Sequence, residues 1–571
     1  MKKFFICVSL LLSVSVAFGQ KEKPQPKPKP EKMAPKAKVP KGEETIQLSK
    51  PMTEPEFWTK LLQMQSGYTL LFEMSEKDGM KVSVFDDKHK MANVKPITYS
   101  YVDKKMNNSD VLGIYEINKQ AVVFVQQYGK PNPMLIRVII DPKTGKLVSE
   151  EVIANLPEMD PPKGDLAGTG DVNVSRFYVN KDNSTDNYTV VTYNDLAEET
   201  SKKIEVVTYD GTNKELVRAF YNCPEDYKYL RFMNAYNYGG PFTYLAVYCY
   251  NTVKPGSDDS RIYISRIKVG NPQFKNIELR YTDYFEYTKC EMSFNKKSGL
   301  LNFIFFTSAY DKMHKNTIRN FFLPVHPEGF KLDSVFDIPF SKVNDYAKAK
   351  MGYKKDFLPT VMDVYLDDDG NYHALLQRVD MLTSYPVNTP VYNLKLDDWG
   401  YEVFDNTGVE ISGTFFSLHC DVDGINALET GATFRYMEAK SGYKPADRLQ
   451  SVDKLKHWYK TLDMIYSSKT NLVFMNDKKE NISLPRGKKG DAVKNMDGAT
   501  SCYYKIDNDG SVTKEFLFGK PKAMNDLKYC NFYASSFEPI SNMYTTIMTD
   551  GAQGGKAFVV WIKMGPFVST Q

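Results

Sequence analysis

Short runs rich in Val, Ile, Tyr, Phe and Thr alternate along this chain with turns built from Asp, Asn, Gly and Lys. Runs of five to nine such residues with turn signals at both ends are the signature of β-strands, and helical periodicity is scarce. One short helix is expected at Thr53-Glu54-Pro55-Glu56, where Thr and Glu stand at capping-box spacing with Pro in the first turn.

The strands come as double hairpins. Val111–Tyr115, a turn at Asn118-Lys119 and Ala121–Gln126 precede Met134–Ile140, a turn at Asp141-Pro142-Lys143-Thr144-Gly145 and Lys146–Ile153. The same order restarts near residues 174, 229, 287, 360, 414, 459 and 528, a step of about 60, with the unit at 414 less complete. Four strands per unit, repeated seven or eight times, is the count of a β-propeller, in which blade packs on blade to form the core. The reading is therefore an all-β single propeller of seven or eight four-stranded blades, eight preferred, over residues 51–571. Two β-sandwich domains are the alternative. The last unit shows three strands, and Tyr68–Met74 and Met80–Phe85 are left over at the other end. These N-terminal strands are expected to complete the final blade, because an open edge invites aggregation.

Residues 1–19 read as a signal peptide. Lys2 and Lys3 precede an apolar stretch from Phe4 to Val16, and Ala17-Phe18-Gly19 places small residues at the cleavage site. The stretch is too short to span a bilayer, and no later segment is long enough. Export to the periplasm or beyond is expected, and the Lys-Lys-led signal resembles those of Gram-negative bacteria. Residues 20–50 follow with Pro24, Pro26, Pro28, Pro30, Pro35 and Pro40 interleaved with lysines. Such a segment favours polyproline II and makes a stiff spacer. Its charge allows a cationic arm on anionic envelope polymers as a second use.

Charge is concentrated in these ends. The total is +4; Lys2 and Lys3 supply +2 and residues 20–50 a further +5, so the body is at −3. A slightly acidic body argues against nucleic acid, which asks for a clustered basic face. Of seven cysteines, Cys223, Cys249, Cys290, Cys420, Cys502 and Cys530 lie beyond the signal. They sit in or beside apolar runs, as small buried residues do. The pairs Cys223/Cys249 and Cys502/Cys530 are close enough in sequence to bridge neighbouring strands.

The runs Tyr466–Asp477 and Tyr504–Gly510 resemble blades of uncharacterised exported bacterial β-propeller-like proteins, mostly in the C-terminal half. The resemblance supports the fold and implies no catalytic residue.

Candidate chemistry is sparse. The Asp-rich turns at 367–370, 421–424 and 507–510 suggest calcium. However, an EF-hand register on Gly370 puts Tyr365 and Leu376 at the ligand ends, and on Gly510 Lys505 and Phe516. Asp-Gly is what a tight hairpin needs. The sialidase turn lacks its tryptophan here, and Asp398-Trp399 reverses the WD dipeptide. His89, His314, His326, His373, His419 and His457 show no metal-ligand spacing, His419-Cys420-Asp421 being the nearest approach. No G-x-S-x-G elbow occurs, and Gly168–Asn173 reads as a loop. No metal, cofactor or assignable catalytic residue is therefore expected.

Aromatic residues are in excess at 13 %, with 38 tyrosines. Tyr236 and Tyr238, beside the Gly239-Gly240 turn, are the candidates for ligand recognition. The function expected is an exported, monomeric, non-enzymatic propeller that binds an envelope protein or glycan. The alternative is a carbohydrate-active hydrolase or lyase with carboxylates over the central channel, since acids from different blades share no fixed spacing.

Overall fold

The computed structural model describes residues 46–564, apart from the connections at 103–108, 128–131, 158–176, 252–259, 281–286, 310–316, 385–390, 427–446, 449–461, 485–489 and 552–555 and a few shorter stretches. The signal and most of the Lys/Pro spacer lie outside the described residues, as does the Gly168–Asn173 loop. No helix among the described residues is long and apolar enough to cross a membrane.

The described strands form eight antiparallel sheets of four or five strands each. In chain order they are blades 1 (58–96), 2 (109–155), 3 (177–220), 4 (229–280), 5 (287–337), 6 (360–426), 7 (463–516) and 8 (529–563). The first strand of each blade lies at one edge of its sheet, and first strands of successive blades approach one another. Trp58–Gln63 meets Tyr529–Glu538, and Tyr229–Tyr236 meets Tyr287–Asn295. First strands therefore line the axis of a β-propeller. On the axial edge of blade 2, Asp447–Arg448, from the connection between blades 6 and 7, pairs with Val111 and Asp110.

The core confirms the ring. Eight apolar clusters lie one at each junction between successive blades. Leu62, Phe72 and Val84 of blade 1 pack with Val123 and Ile136 of blade 2, and Trp399 and Phe416 of blade 6 with Met475 and Tyr504 of blade 7. The eighth cluster joins Ile547, Val559 and Trp561 of blade 8 to Leu61, Leu71 and Phe85 of blade 1. A four-stranded sheet buries both faces only between two others, so each junction is a layer of core.

Closure differs in detail from expectation. Tyr68–Met74 and Met80–Phe85 belong to the two middle strands of blade 1, which has its own four strands. Ile46–Leu48 closes the ring by pairing with Val560–Ile562 as the outermost strand of blade 8. Ser49 and Met52 extend the seam, their N–H groups donating to the Val559 and Ala557 carbonyls at 2.9 Å. The propeller thus begins inside the stretch assigned to the spacer. No helix forms at Thr53–Glu54, and Trp58–Gln63 is a strand. The unit at 414 is not a blade either: Glu410–Asn426 is one long outer strand of blade 6, and Asp421–Gly424 lies within it.

The longer of the two α-helices among the described residues, α1 (Ser341–Met351), is packed on the ring between blades 5 and 6. It rests on the outer strands of blade 6, where glycine is required: a Cβ on Gly413 would stand 2.4 Å from the Val343 nitrogen. Its first amides are held by blade 6 carboxylates. Val343 N–H donates to Glu402 Oε2 at 2.8 Å and Ser341 N–H to Glu410 Oε1 at 2.8 Å.

Candidate functional site

The ends of the first strands, and the tight turns that follow, converge around the axis on one face of the ring. There hydrogen bonds cross five of the junctions, 8–1, 1–2, 3–4, 4–5 and 5–6. Gln63 N–H of blade 1 donates to Ser536 Oγ of blade 8 at 3.0 Å, and Gln65 N–H to Glu116 Oε2 of blade 2 at 2.8 Å. The Tyr236 hydroxyl of blade 4 donates to Asp182 Oδ2 of blade 3 at 2.6 Å and accepts from Phe294 N–H of blade 5 at 3.1 Å. Asn295 Nδ2 of blade 5 donates to the Gly370 carbonyl of blade 6 at 3.0 Å.

Charged groups with perturbed protonation sit within this arc. Burial pushes the Glu116 carboxyl up; the Gln65 N–H opposes the shift, and the charges of Glu538 and Asp186 add to it. Burial pushes the Lys181 ammonium down, against the pull of Asp186, Asp182 and Glu116. Three carboxylates, Asp182, Asp186 and Glu116, thus share one lysine in a partly dehydrated rim, with Glu538 acting on Glu116, and electrostatic and hydrogen-bonding interactions there are stronger than in open water. Glu538 is fixed by its own turn, accepting from Ile540 N–H at 3.0 Å and Ser541 N–H at 2.6 Å.

The two tyrosines singled out in the sequence occupy different positions on this face. Tyr236 is not a loop residue: it ends the first strand of blade 4, is 5 % exposed, and has its hydroxyl engaged by Asp182 and Phe294. Tyr238 lies in the turn, partly exposed, its ring stacked on Phe294 with centroids 4.2 Å apart.

The remaining polar candidates serve the fold. Asp86, Asp210 and Asp405 each use Oδ1 to accept the N–H groups two and four residues on, at 2.8–3.0 Å. The Asp-rich turn at 367–370 follows this rule, with Gly370 at φ +86° and Asp367 Oδ1 accepting from Asn371 N–H at 2.7 Å. The other Asp367 oxygen meets His373 Nε2 at 3.0 Å, His373 Nδ1 meets the Tyr401 hydroxyl at 2.8 Å, and that hydroxyl lies 3.1 Å from the Tyr365 hydroxyl. Burial opposes the Asp367 charge, yet hydrogen bonds from His373 and Asn371 hold the carboxyl below its ordinary range. An Asp–His–Tyr chain can relay protons, but His373 is 0 % exposed and walled by Tyr365 and Tyr466. It is a strut between blades 6 and 7. His373→Ala takes one partner each from the buried Asp367 Oδ2, which keeps Asn371 Nδ2 at 3.1 Å, and from the Tyr401 hydroxyl, which keeps Tyr365, and it leaves a cavity; it should cost about 1–3 kcal/mol. Urea melts should show a lower midpoint at unchanged m.

Among the described residues no three His, Cys, Asp or Glu side chains are placed to hold a metal ion. The side chains of His419 and Cys420 lie outside those described. Glu116 escaped the sequence reading because Gln65, Asp186 and Glu538, which act on it, belong to other blades; Lys181 has Asp182 and Asp186 nearby in its own blade, but Glu116 comes from blade 2. A usable signal exists: Lys181, Tyr236 and Glu538 each end the first strand of their blade, and Glu116 stands one residue before the end of its own.

No protein-family model matches the chain, and no curated protein matches it. Among solved structures, the WD40 domain of SCAP from fission yeast aligns over 90 % of this chain and 98 % of its own at 8 % identity, with a TM-score of 0.33. A polysaccharide lyase of family PL25, an ulvan lyase, aligns over 65 % of this chain and 87 % of its own at 8 % identity and a TM-score of 0.35. The GH43 endo-arabinanase from Bacillus licheniformis aligns over 49 % of this chain and 98 % of its own at 13 % identity and a TM-score of 0.23. Likeness of this degree transfers no residue and no activity.

Proposed function

We propose that this chain is an exported binding propeller that takes a protein or glycan partner of the cell envelope on its tight-turn face, around Glu116 and Lys181. The observation that supports this is the desolvated Glu116–Lys181 pair among Asp182, Asp186 and Glu538, at the end of the axis where the blades converge. Partly dehydrated charges held by the scaffold gain from a partner that supplies hydroxyls or complementary charge, and little reorganisation is needed. Tyr236 fixes the Asp182 carboxylate, and Tyr238 offers an aromatic edge at the rim.

A glycan array and an envelope-protein pull-down with the full chain test this reading. Glu116→Gln and Lys181→Ala should each weaken the recovered partner at least tenfold. Lys202→Ala, an exposed residue of blade 3 paired with Glu199, should leave it unchanged. A partner that binds equally well to all three variants overturns the assignment of the face.

One observation favours a second reading, a carbohydrate-active hydrolase or lyase. Glu116 is pushed toward its protonated form beside other carboxylates, the division of roles that acid–base chemistry on glycosidic bonds uses. Release of reducing ends from envelope polysaccharides, abolished in Glu116→Gln, would establish it. Binding without turnover would exclude it.

A further inference from the structure

The connection from blade 3 to blade 4 brings two cysteines together. Cys223 follows the outer strand Glu215–Phe220, and Cys249 lies in the second strand of blade 4, Phe242–Tyr250. Their sulfur atoms are 3.4 Å apart, and both thiols are free. We propose that Cys223 and Cys249 form a redox pair that closes to an intramolecular disulfide by exchange with a low-molecular-weight disulfide such as oxidised glutathione.

Three features of the site support the closure. The connection is held against both blades: Tyr221 N–H donates to the Ile204 carbonyl at 2.8 Å, and Lys228 N–H to Asn251 Oδ1 at 3.0 Å. The two thiols are thus kept near each other, which favours an intramolecular step over release of the intermediate. Cys223 is partly exposed while Cys249 is buried, so a small disulfide reaches only the first. The contact with Cys249 lowers the Cys223 thiol despite its burial, whereas burial raises Cys249. Attack therefore begins at Cys223.

The exchange balances without another reactant. The Cys223 thiolate attacks one sulfur of oxidised glutathione, forming a mixed disulfide and releasing one glutathione thiolate. The Cys249 sulfur, giving up its proton, then attacks the Cys223 sulfur and releases the second. One disulfide is reduced to two thiols as two protein thiols are oxidised to one disulfide. The bond would staple the crossover to the blade it enters.

The test treats the full chain with dithiothreitol or with oxidised glutathione, then denatures, alkylates and maps the peptides. Both cysteines should be alkylated after dithiothreitol. After oxidised glutathione both should be protected in one cross-linked peptide pair, with Cys502 and Cys530, buried and far from any disulfide reagent, still alkylated. The oxidised chain should melt several degrees higher than the reduced one, and Cys223→Ser should remove the difference. Alkylated Cys249 in the oxidised wild-type chain, or a stable glutathione adduct on Cys223, overturns the proposal. The wild-type comparison decides the matter even if the variant does not fold.

Discussion

Trp561→Ala should open the ring at its seam, at a cost of about 3–5 kcal/mol for the lost side chain alone. Trp561 is fully buried in the junction that joins the last blade to the first. Its Nε1 donates to Thr69 Oγ1 of blade 1 at 2.8 Å, its ring meets Phe85 edge-on at 5.3 Å, and it stacks on His89 at 4.3 Å. His89 in turn contacts Gln47 of the N-terminal strand. One side chain therefore touches blade 8, blade 1 and the segment that fastens them. Trp561→Phe keeps the apolar contacts and loses the hydrogen bond, leaving Thr69 Oγ1 short of a donor but still bonded to Gln63 Oε1 at 2.7 Å. Its cost should be nearer 1–2 kcal/mol. Differential scanning calorimetry ranks the three proteins, and equal melting temperatures for the alanine variant and wild type would refute the seam's role. Removing residues 1–50 should instead expose the edge of Ala557–Lys563 and appear as concentration-dependent light scattering.

The repeat was legible because it is local. Each hairpin announces its turn with Asp, Asn or Gly, and the tight turns at Asp141, Asp210 and Asp507 lie where the residues place them. Registration was less legible, since it depends on contacts between distant residues. Trp58-Thr59-Lys60-Leu61-Leu62-Gln63 does not alternate, because a first strand between two neighbouring blades is covered on both faces. It follows a capping-box pattern, so blade 1 was passed over. In blade 6 the strand Glu410–Asn426, paired with Val391–Phe404, runs through Asp421-Val422-Asp423-Gly424, an Asp-x-Asp-Gly sequence of the kind that turns the chain at Asp367 and Asp507. Strand pairing there overrides local turn preference. One blade missed and one false unit added leave the count at eight. The site was less legible still. Glu116 meets Gln65 across 51 residues and Tyr236 meets Asp182 across 54, distances that only the closed ring shortens.

Glu402→Gln should stabilise the protein at alkaline pH and flatten its stability profile. Glu402 lies on the inner face of α1, fully buried. Its Oε2 accepts Val343 N–H, and its Oε1 has no hydrogen-bond partner among the described residues. Burial, with the Glu410 charge adding to it, pushes the carboxyl up to about 9 from an ordinary 4.5, while the amides of Val343 and Lys342 and the Lys342 charge oppose the shift. The folded chain therefore holds a proton that the unfolded chain releases above pH 4.5. For a carboxyl raised on folding, the contribution to stability is complete below about pH 4.5 and is lost progressively as pH rises toward 9. The slope within that window approaches 1.4 kcal/mol per pH unit, or on the order of 5 kcal/mol across it. Glutamine keeps the acceptor for Val343 and carries no titrating proton, so the variant should lose this slope. Urea midpoints of wild type and variant should diverge steadily between pH 5 and pH 9, with the variant higher at the alkaline end. Parallel profiles would mean that Glu402 is ionised in the folded protein, with α1 held by a buried carboxylate. Glu402→Ala distinguishes this from simple loss of packing: it also removes the slope, but it lies below Glu402→Gln at every pH because the Val343 amide is left without its acceptor.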